Sequence, residues 1–204
     1  MRLIKSFIII SLFTFSFWSC KIGDESKIDN TENRVINDIL VSKESLILKA
    51  NEGRWYYKEK PFSGYAVRYN SNKILEEKVG YYEGKKEGLA QKWFPDGLLQ
   101  KESFYIANHL DGVVKIWWPN GNIASEGNYI NGVRNGIQKK WYTTGQLAKQ
   151  TNLVDGKENG MQQAWLENGK LYVNYEAKNG RVFGLKRANL CYALENEIIQ
   201  YKKL

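Results

Sequence analysis

Residues 81–104 read YYEGKKEGLAQKWFPDGLLQKESF. The pattern returns as YIANHLDGVVKIWWPNGNIASEGN over 105–128, YINGVRNGIQKKWYTTGQLAKQTN over 129–152 and LVDGKENGMQQAWLENGKLYVNYE over 153–176. Glycines 24 residues apart set the frame, at Gly64, Gly88, Gly112, Gly136, Gly160 and Gly184. Five residues further on stand Tyr69, Trp93, Trp117, Trp141 and Trp165. Eleven further on stand Leu75, Leu99, Ile123, Leu147 and Leu171, and seventeen further on Tyr81, Tyr105, Tyr129 and Leu153. A fixed period in this range means one small structural unit per period, stacked on its neighbours.

Each unit contains two candidate strands, parted by Asp96-Gly97, Asn120-Gly121, Thr144-Gly145 or Asn168-Gly169. Asn-Gly and Asp-Gly favour two-residue hairpin turns, in which both central residues take φ > 0. Such a turn would set Phe94 opposite Leu99 on one face and Trp93 opposite Gln100 on the other. A second turn, Glu83 to Gly88 or Asn131 to Gly136, would join one hairpin to the next. Glycine recurs too often for an uninterrupted helix. The expectation is an all-β fold, a single meander of antiparallel hairpins with strands of about 5–7 residues. Each unit would lengthen the sheet by about 10 Å, and so many strands require a twisted or curved sheet. Stacking would align Trp93, Trp117, Trp141 and Trp165 as one ladder, and Phe94, Trp118, Tyr142 and Leu166 as another on the opposite face. Cross-strand pairs of these types contribute about 0.2–1 kcal/mol each, so the array would be held by many small terms between neighbours.

Outward from the repeats, the chain divides into 1–19, 20–33, 34–54 and 55–204. Residues 1–19, MRLIKSFIIISLFTFSFWS, place Arg2 and Lys5 before an apolar run too short for a permanent membrane helix. That is the layout of an export signal. Phe17-Trp18-Ser19-Cys20 resembles a bacterial lipobox, although Phe17 and Trp18 depart from its usual Leu and small residue. The resemblance implies acylation of Cys20, which would supply the two hydrophobic signals that stable membrane attachment needs. A plain signal peptide and an uncleaved anchor are the alternatives. Residues 21–33, KIGDESKIDNTEN, are polar and free of aromatics, as a flexible tether would be. Arg34 to Lys49 reads as a short helix or a first strand leading into Trp55. Glu195 to Leu204, with Lys202 and Lys203, suits a charged closing strand.

The chain of 204 residues carries 30 Lys+Arg against 22 Asp+Glu, with the two signs interspersed rather than gathered into a patch. No nucleic-acid-binding module is recognisable. A single histidine, His109, and two cysteines, Cys20 and Cys191, exclude most metal sites and any nucleophile–histidine arrangement not built on His109. Glu102 and Glu126 share a repeat column, which assigns them to each hairpin's structure rather than to a carboxylate pair. The glycines are spaced for turns and not clustered ahead of a helix, so they form no phosphate-cradling loop. No catalytic residue, metal or cofactor follows from these residues.

The pattern Tyr-x-x-Gly-x-x-(Asp/Asn/Glu)-Gly-x4-Trp-(aromatic)-x-(Asp/Asn)-Gly-x-Leu, quoted from residues 81–99, resembles the variant MORN repeat, in the bacterial YwqK-type form often labelled antitoxin-like. Four full copies cover 81–176. Trp55 to Gly80 fits as a degenerate leading copy and Arg181 to Leu204 as a trailing one. The resemblance implies a structural unit used in many settings, not one activity. The functional expectation is a non-enzymatic interaction scaffold, exported and lipid-anchored to a bacterial membrane, the outer membrane or cell surface before others. Its partner would be a protein, met through Trp93, Trp117, Trp141, Trp165 and Tyr69, since aromatics are enriched at binding hot spots. A glycan or phospholipid headgroup is the alternative ligand, and neutralisation of a toxin the alternative role. Nucleic acid is not expected.

Overall fold

The computed structural model describes residues 34–185. The expected export signal, Cys20, the expected tether, Cys191 and the expected closing strand lie outside the described residues. At the N-terminal end stand β1 (Leu40–Ser42), a single 3-10 turn (Lys43–Ser45), β2 (Ile47–Lys49), β3 (Arg54–Tyr57) and β4 (Lys60–Pro61). The repeats then supply β5 (Gly64–Tyr69), β6 (Leu75–Tyr82), β7 (Lys85–Trp93), β8 (Leu99–Ile106), β9 (His109–Leu110) and β10 (Gly112–Trp117). They continue as β11 (Ile123–Ile130), β12 (Val133–Trp141), β13 (Leu147–Val154), β14 (Lys157–Trp165), β15 (Leu171–Lys178) and β16 (Arg181–Leu185). Strands β5 to β16 lie side by side in chain order in one sheet, with β9 pairing only β8. β1 adds to β5 in parallel at one edge, making thirteen strands, while β2–β3–β4 form a separate small sheet. The all-β meander expected from the repeat is the observed fold.

The two kinds of turn are the reverse of the expected ones. At Phe94–Gly97, Gly97 N–H donates to Phe94 O at 2.9 Å, Phe94 N–H donates to Leu98 O at 2.8 Å, and only Gly97 has φ > 0, at 88°. That is a four-residue turn closed by a left-handed glycine, the three-residue hairpin loop with a bulge. Trp118–Gly121, Tyr142–Gly145 and Leu166–Gly169 repeat it. The bulge shifts the register by one at the tip alone, so Trp93 faces Leu99 and Phe94 meets Leu98, in place of the expected pairs, while the ladder from Lys92↔Lys101 to Gly88↔Tyr105 is unshifted. The turn with two positive φ values lies between hairpins, at Glu83-Gly84 (48° and 79°), Asn131-Gly132 (47° and 83°) and Asp155-Gly156 (50° and 76°).

The frame glycines therefore end no turn. Gly88 lies inside β7 at φ 70°, where the ladder steps from Val79↔Ala90 to Tyr81↔Lys86. One residue on one strand, Gly80, faces three on the other, Glu87 to Leu89, a bulge that needs a left-handed residue. The strands consequently run on through it, and most are eight or nine residues long instead of about five to seven. The same glycines pair across with the tyrosine column, Gly88 with Tyr105 and Gly112 with Tyr129, so an aromatic side chain stands opposite a residue that has none. A bulge also leaves carbonyls outside the ladder. Gln138 Nε2 donates to Asn128 O at 3.0 Å, and Gln162 Nε2 donates to Asn152 O at 2.8 Å, which satisfies two of them.

Burial follows a single row across the sheet. Val41, Ala66, Val79, Ala90 and Ser103 pair in succession, and Val114, Gly127, Gln138, Thr151, Gln162 and Tyr175 continue the row. Its members on β1 to β10 are small and buried, and Gln162 and Tyr175 are buried too. At the N-terminal end the row merges with the hydrophobic core. There Leu46 and Phe62 close over Ala66, Val79 and Tyr81, with Trp55 and Tyr57 packed against them. The rings of Trp55 and Phe62 both meet Tyr81 edge-on or tilted, with centroids 6.1 and 5.9 Å away.

Candidate binding face

Side chains alternate across a strand, so the buried row defines one face of the sheet, and residues one position away belong to the other. Three recesses open on the row's face. One, of about 290 Å³, is lined by Lys43, Glu77, Lys86, Lys92, Lys101 and Tyr105. A second, of about 170 Å³, is lined by Val114, Ser125, Arg134, Gln138, Lys140 and Lys149. The third, of about 210 Å³, lies at Lys149, Gln162, Ala164 and Tyr175. Beside the buried row runs a second, Arg68–Glu77–Lys92–Lys101–Ile116–Ser125–Lys140–Lys149–Ala164–Val173, read directly from the pairing register.

Electrostatics in the first recess centre on Glu77, which is buried. Lys43 Nζ lies 2.5 Å from its carboxylate, Arg68 3.3 Å and Lys92 4.0 Å. A buried carboxylate needs such company to stay charged. Lys86 holds its proton less tightly than an ordinary lysine, because burial penalises the ammonium and Lys43 repels it. Its Nζ sits 5.2 Å from the centre of the Tyr105 ring. In the second recess Arg134 Nε donates to Tyr129 Oη at 3.1 Å.

The opposite face carries the tryptophans. Leu89, Gln91 and Trp93 alternate onto it, as do Val113, Lys115 and Trp117, and Ile137, Lys139 and Trp141. Trp93, Trp117, Trp141 and Trp165 are half-buried and Tyr69 is exposed. The tryptophans line up on this face as expected, and no ring–ring contact among the described residues joins two of them. Neighbouring hairpins are stitched instead by the next column. Trp118 Nε1 donates to Trp141 O at 3.2 Å and Tyr142 Oη donates to Trp165 O at 2.9 Å. Asn120 and Asn122 both donate to Thr143 O. Large apolar side chains, Leu89, Val113 and Ile137, stand exposed on the tryptophan face.

Glu102 and Glu126 lie on the tryptophan face with Lys115 between them, in a row Gln91–Glu102–Lys115–Glu126–Lys139. Alternating charge across strands is a sheet-stabilising arrangement. His109 opens β9 just after the Ala107-Asn108 turn and is exposed. No group of acids, histidines and cysteines among the described residues could hold a metal ion. Nor is any described helix long and apolar enough to cross a membrane.

The identity of each column had marked the tryptophans, but not the row of Lys92, Lys101, Lys140 and Lys149. Those lysines recur only in alternate frames, and their shared face follows from the pairing register. No curated protein matches the chain. Residues 110–131 and 134–155 match the MORN repeat variant, and the matched stretches fall within the 24-residue register that runs on at both sides of them. Residues 110–155 thus carry two variant MORN repeats.

Proposed function

We propose that this protein is a non-enzymatic interaction scaffold, exported and held at a membrane through acylated Cys20, which docks a protein partner on the tryptophan face of its repeat sheet. Repeats of this family are units of protein and membrane interaction. The observation that carries the reading is the tryptophan column itself. Four half-buried rings recur every 24 residues without touching one another, so mutual stacking does not account for them. Exposed Leu89, Val113 and Ile137 lie beside them, giving aromatic and aliphatic anchors in one line.

Two measurements test it separately. Palmitate should label the wild-type chain in cells and not Cys20→Ala; equal labelling of both would remove the anchor from the proposal. Trp117→Ala/Trp141→Ala should lose the partner that wild type retains in a pull-down, with its melting temperature little changed. Full retention of the partner together with a lowered melting temperature would make the column structural only.

A further inference from the structure

Two of the recesses repeat one arrangement two frames apart. Lys92 stands directly across from Lys101, and Lys140 directly across from Lys149, the second pair 48 residues after the first. Like charges directly opposed on antiparallel strands are destabilising. Little within the described chain offsets them: Lys101, Lys140 and Lys149 have no ion pair among the described residues, and Lys92 shares Glu77 with Lys43 and Arg68, at 4.0 Å. Between the pairs the same row holds uncharged Ile116 and Ser125. Each pair adjoins polar groups in its recess, Lys86 and Tyr105 in one, Ser125, Arg134 and Gln138 in the other. From pair to pair is four strand spacings, about 19 Å.

We propose that this face binds an acidic, extended polypeptide segment lying across the strands, with carboxylates seated at the Lys92/Lys101 and Lys140/Lys149 pairs. An extended chain rises about 3.3 Å per residue, so its two acidic positions would be about six residues apart. The chemistry favours carboxylates over single-stranded nucleic acid, which needs open aromatic platforms under its bases; the tryptophans stand on the other face, and the recess tyrosines Tyr105 and Tyr129 are engaged by Lys86 and Arg134. This goes beyond the tryptophan-face reading and uses a different surface, so either can fail alone.

The test uses the full chain and a labelled synthetic peptide with two Glu-Glu pairs held about six residues apart by Gly and Ser, followed by fluorescence anisotropy. Wild type should bind it, more weakly as salt rises. Lys92→Gln/Lys101→Gln and Lys140→Gln/Lys149→Gln should each weaken binding by about tenfold, while the thermal midpoint of Lys140→Gln/Lys149→Gln holds or rises because a repulsion is gone. Lys115→Gln/Lys139→Gln on the opposite face should leave affinity unchanged, as should Trp117→Ala/Trp141→Ala. A peptide with its four glutamates contiguous should bind less well. Equal loss from Lys115→Gln/Lys139→Gln would reduce the effect to overall charge and overturn the proposal. Indifference to spacing, or to the groove substitutions, would do the same. So would phosphatidylserine vesicles or an oligonucleotide that bind through the same lysines more tightly than the peptide. Lys149→Gln alone keeps the question open to experiment if a double variant fails to fold.

Discussion

Tyr81 and Tyr175 are both buried on the same face of the sheet and differ in one hydrogen bond. Tyr81 is fully buried and its hydroxyl meets no partner; Tyr175 donates to Glu158 at 2.9 Å. A buried unsatisfied hydroxyl costs about 1–3 kcal/mol, so Tyr81→Phe should be at least as stable as wild type and gain up to about that amount in urea unfolding. The Tyr175 phenol is pushed up to about 12, first by burial and then by its bond to Glu158. The folded state thus keeps a proton that the unfolded state releases near pH 10. Stability from this group is complete below about pH 10 and falls as pH rises towards 12. Tyr175→Phe should flatten that alkaline decline in a series of thermal melts, and an unchanged slope would assign the decline to other groups. Lys73 is the third case. It holds φ 60° where the later hairpins have a glycine at φ 84–89°. A left-handed non-glycine residue costs about 1–2 kcal/mol. Lys73→Gly should therefore raise the unfolding midpoint, the greater unfolded-chain freedom of glycine cancelling only part of the gain.

At the scale of the element, the hairpin was legible and its turns were not. The 24-residue period, the number of strands per unit and the glycine at each tip all follow from residues 81–176. Which Gly-containing pair makes the two-residue turn does not, because Asn-Gly occurs at Asn120-Gly121 and again at Asn131-Gly132. Two signals were present. Pro95 and Pro119 suit the second position of a four-residue type I turn, which pre-sets φ near −65° and lengthens the tip loop. Asp96 and Asn120 accept backbone N–H groups two residues on, from Leu98 and Asn122, as in an Asx turn. The groove lysines were hidden for a different reason. The expected and the observed registers both set Lys92 opposite Lys101, but the next frame carries Ile116 and Ser125 in those places, so no repeat column marks them. The inter-hairpin turn at Ala107-Asn108 departs from the rest, with Ala107 at φ 47° and no glycine. Asn108 has compensating bonds, accepting from Lys86 N–H and donating to Gly53 O. Ala107 has a methyl group that can make no such bond, although its N–H donates to Glu87 Oε2 at 2.8 Å. Ala107→Asn should stabilise by about 0.5–1 kcal/mol, read as a shift in the chemical-denaturation midpoint.

For the molecule as a whole, an array in which each strand meets only its neighbours is a ruler that can be shortened by one unit. Excising residues 113–136 joins Gly112 to Ile137, restores the 24-residue register and sets β12 against β8. Stability in such arrays is a sum over units and the interfaces between them. The shortened chain should therefore fold with the same far-ultraviolet signature and a lower unfolding midpoint. Excising twelve residues, 113–124, should not, because it joins the start of one strand to the middle of the next and breaks the hairpin. The deletion of a whole unit also moves the lysine pairs. Lys101 and Lys140 become neighbours in the row, and the pairs come to lie two strand spacings apart, about 10 Å. Four adjacent lysines add repulsion, so the loss of stability should shrink at high salt, where like charges are screened. If the groove holds acidic segments as proposed, its preference should change with the ruler. Glutamate pairs about three residues apart should then bind better than pairs about six apart, the reverse of wild type. A shortened chain that folds yet keeps the wild-type preference would show that the spacing of the lysine pairs does not set what the face selects.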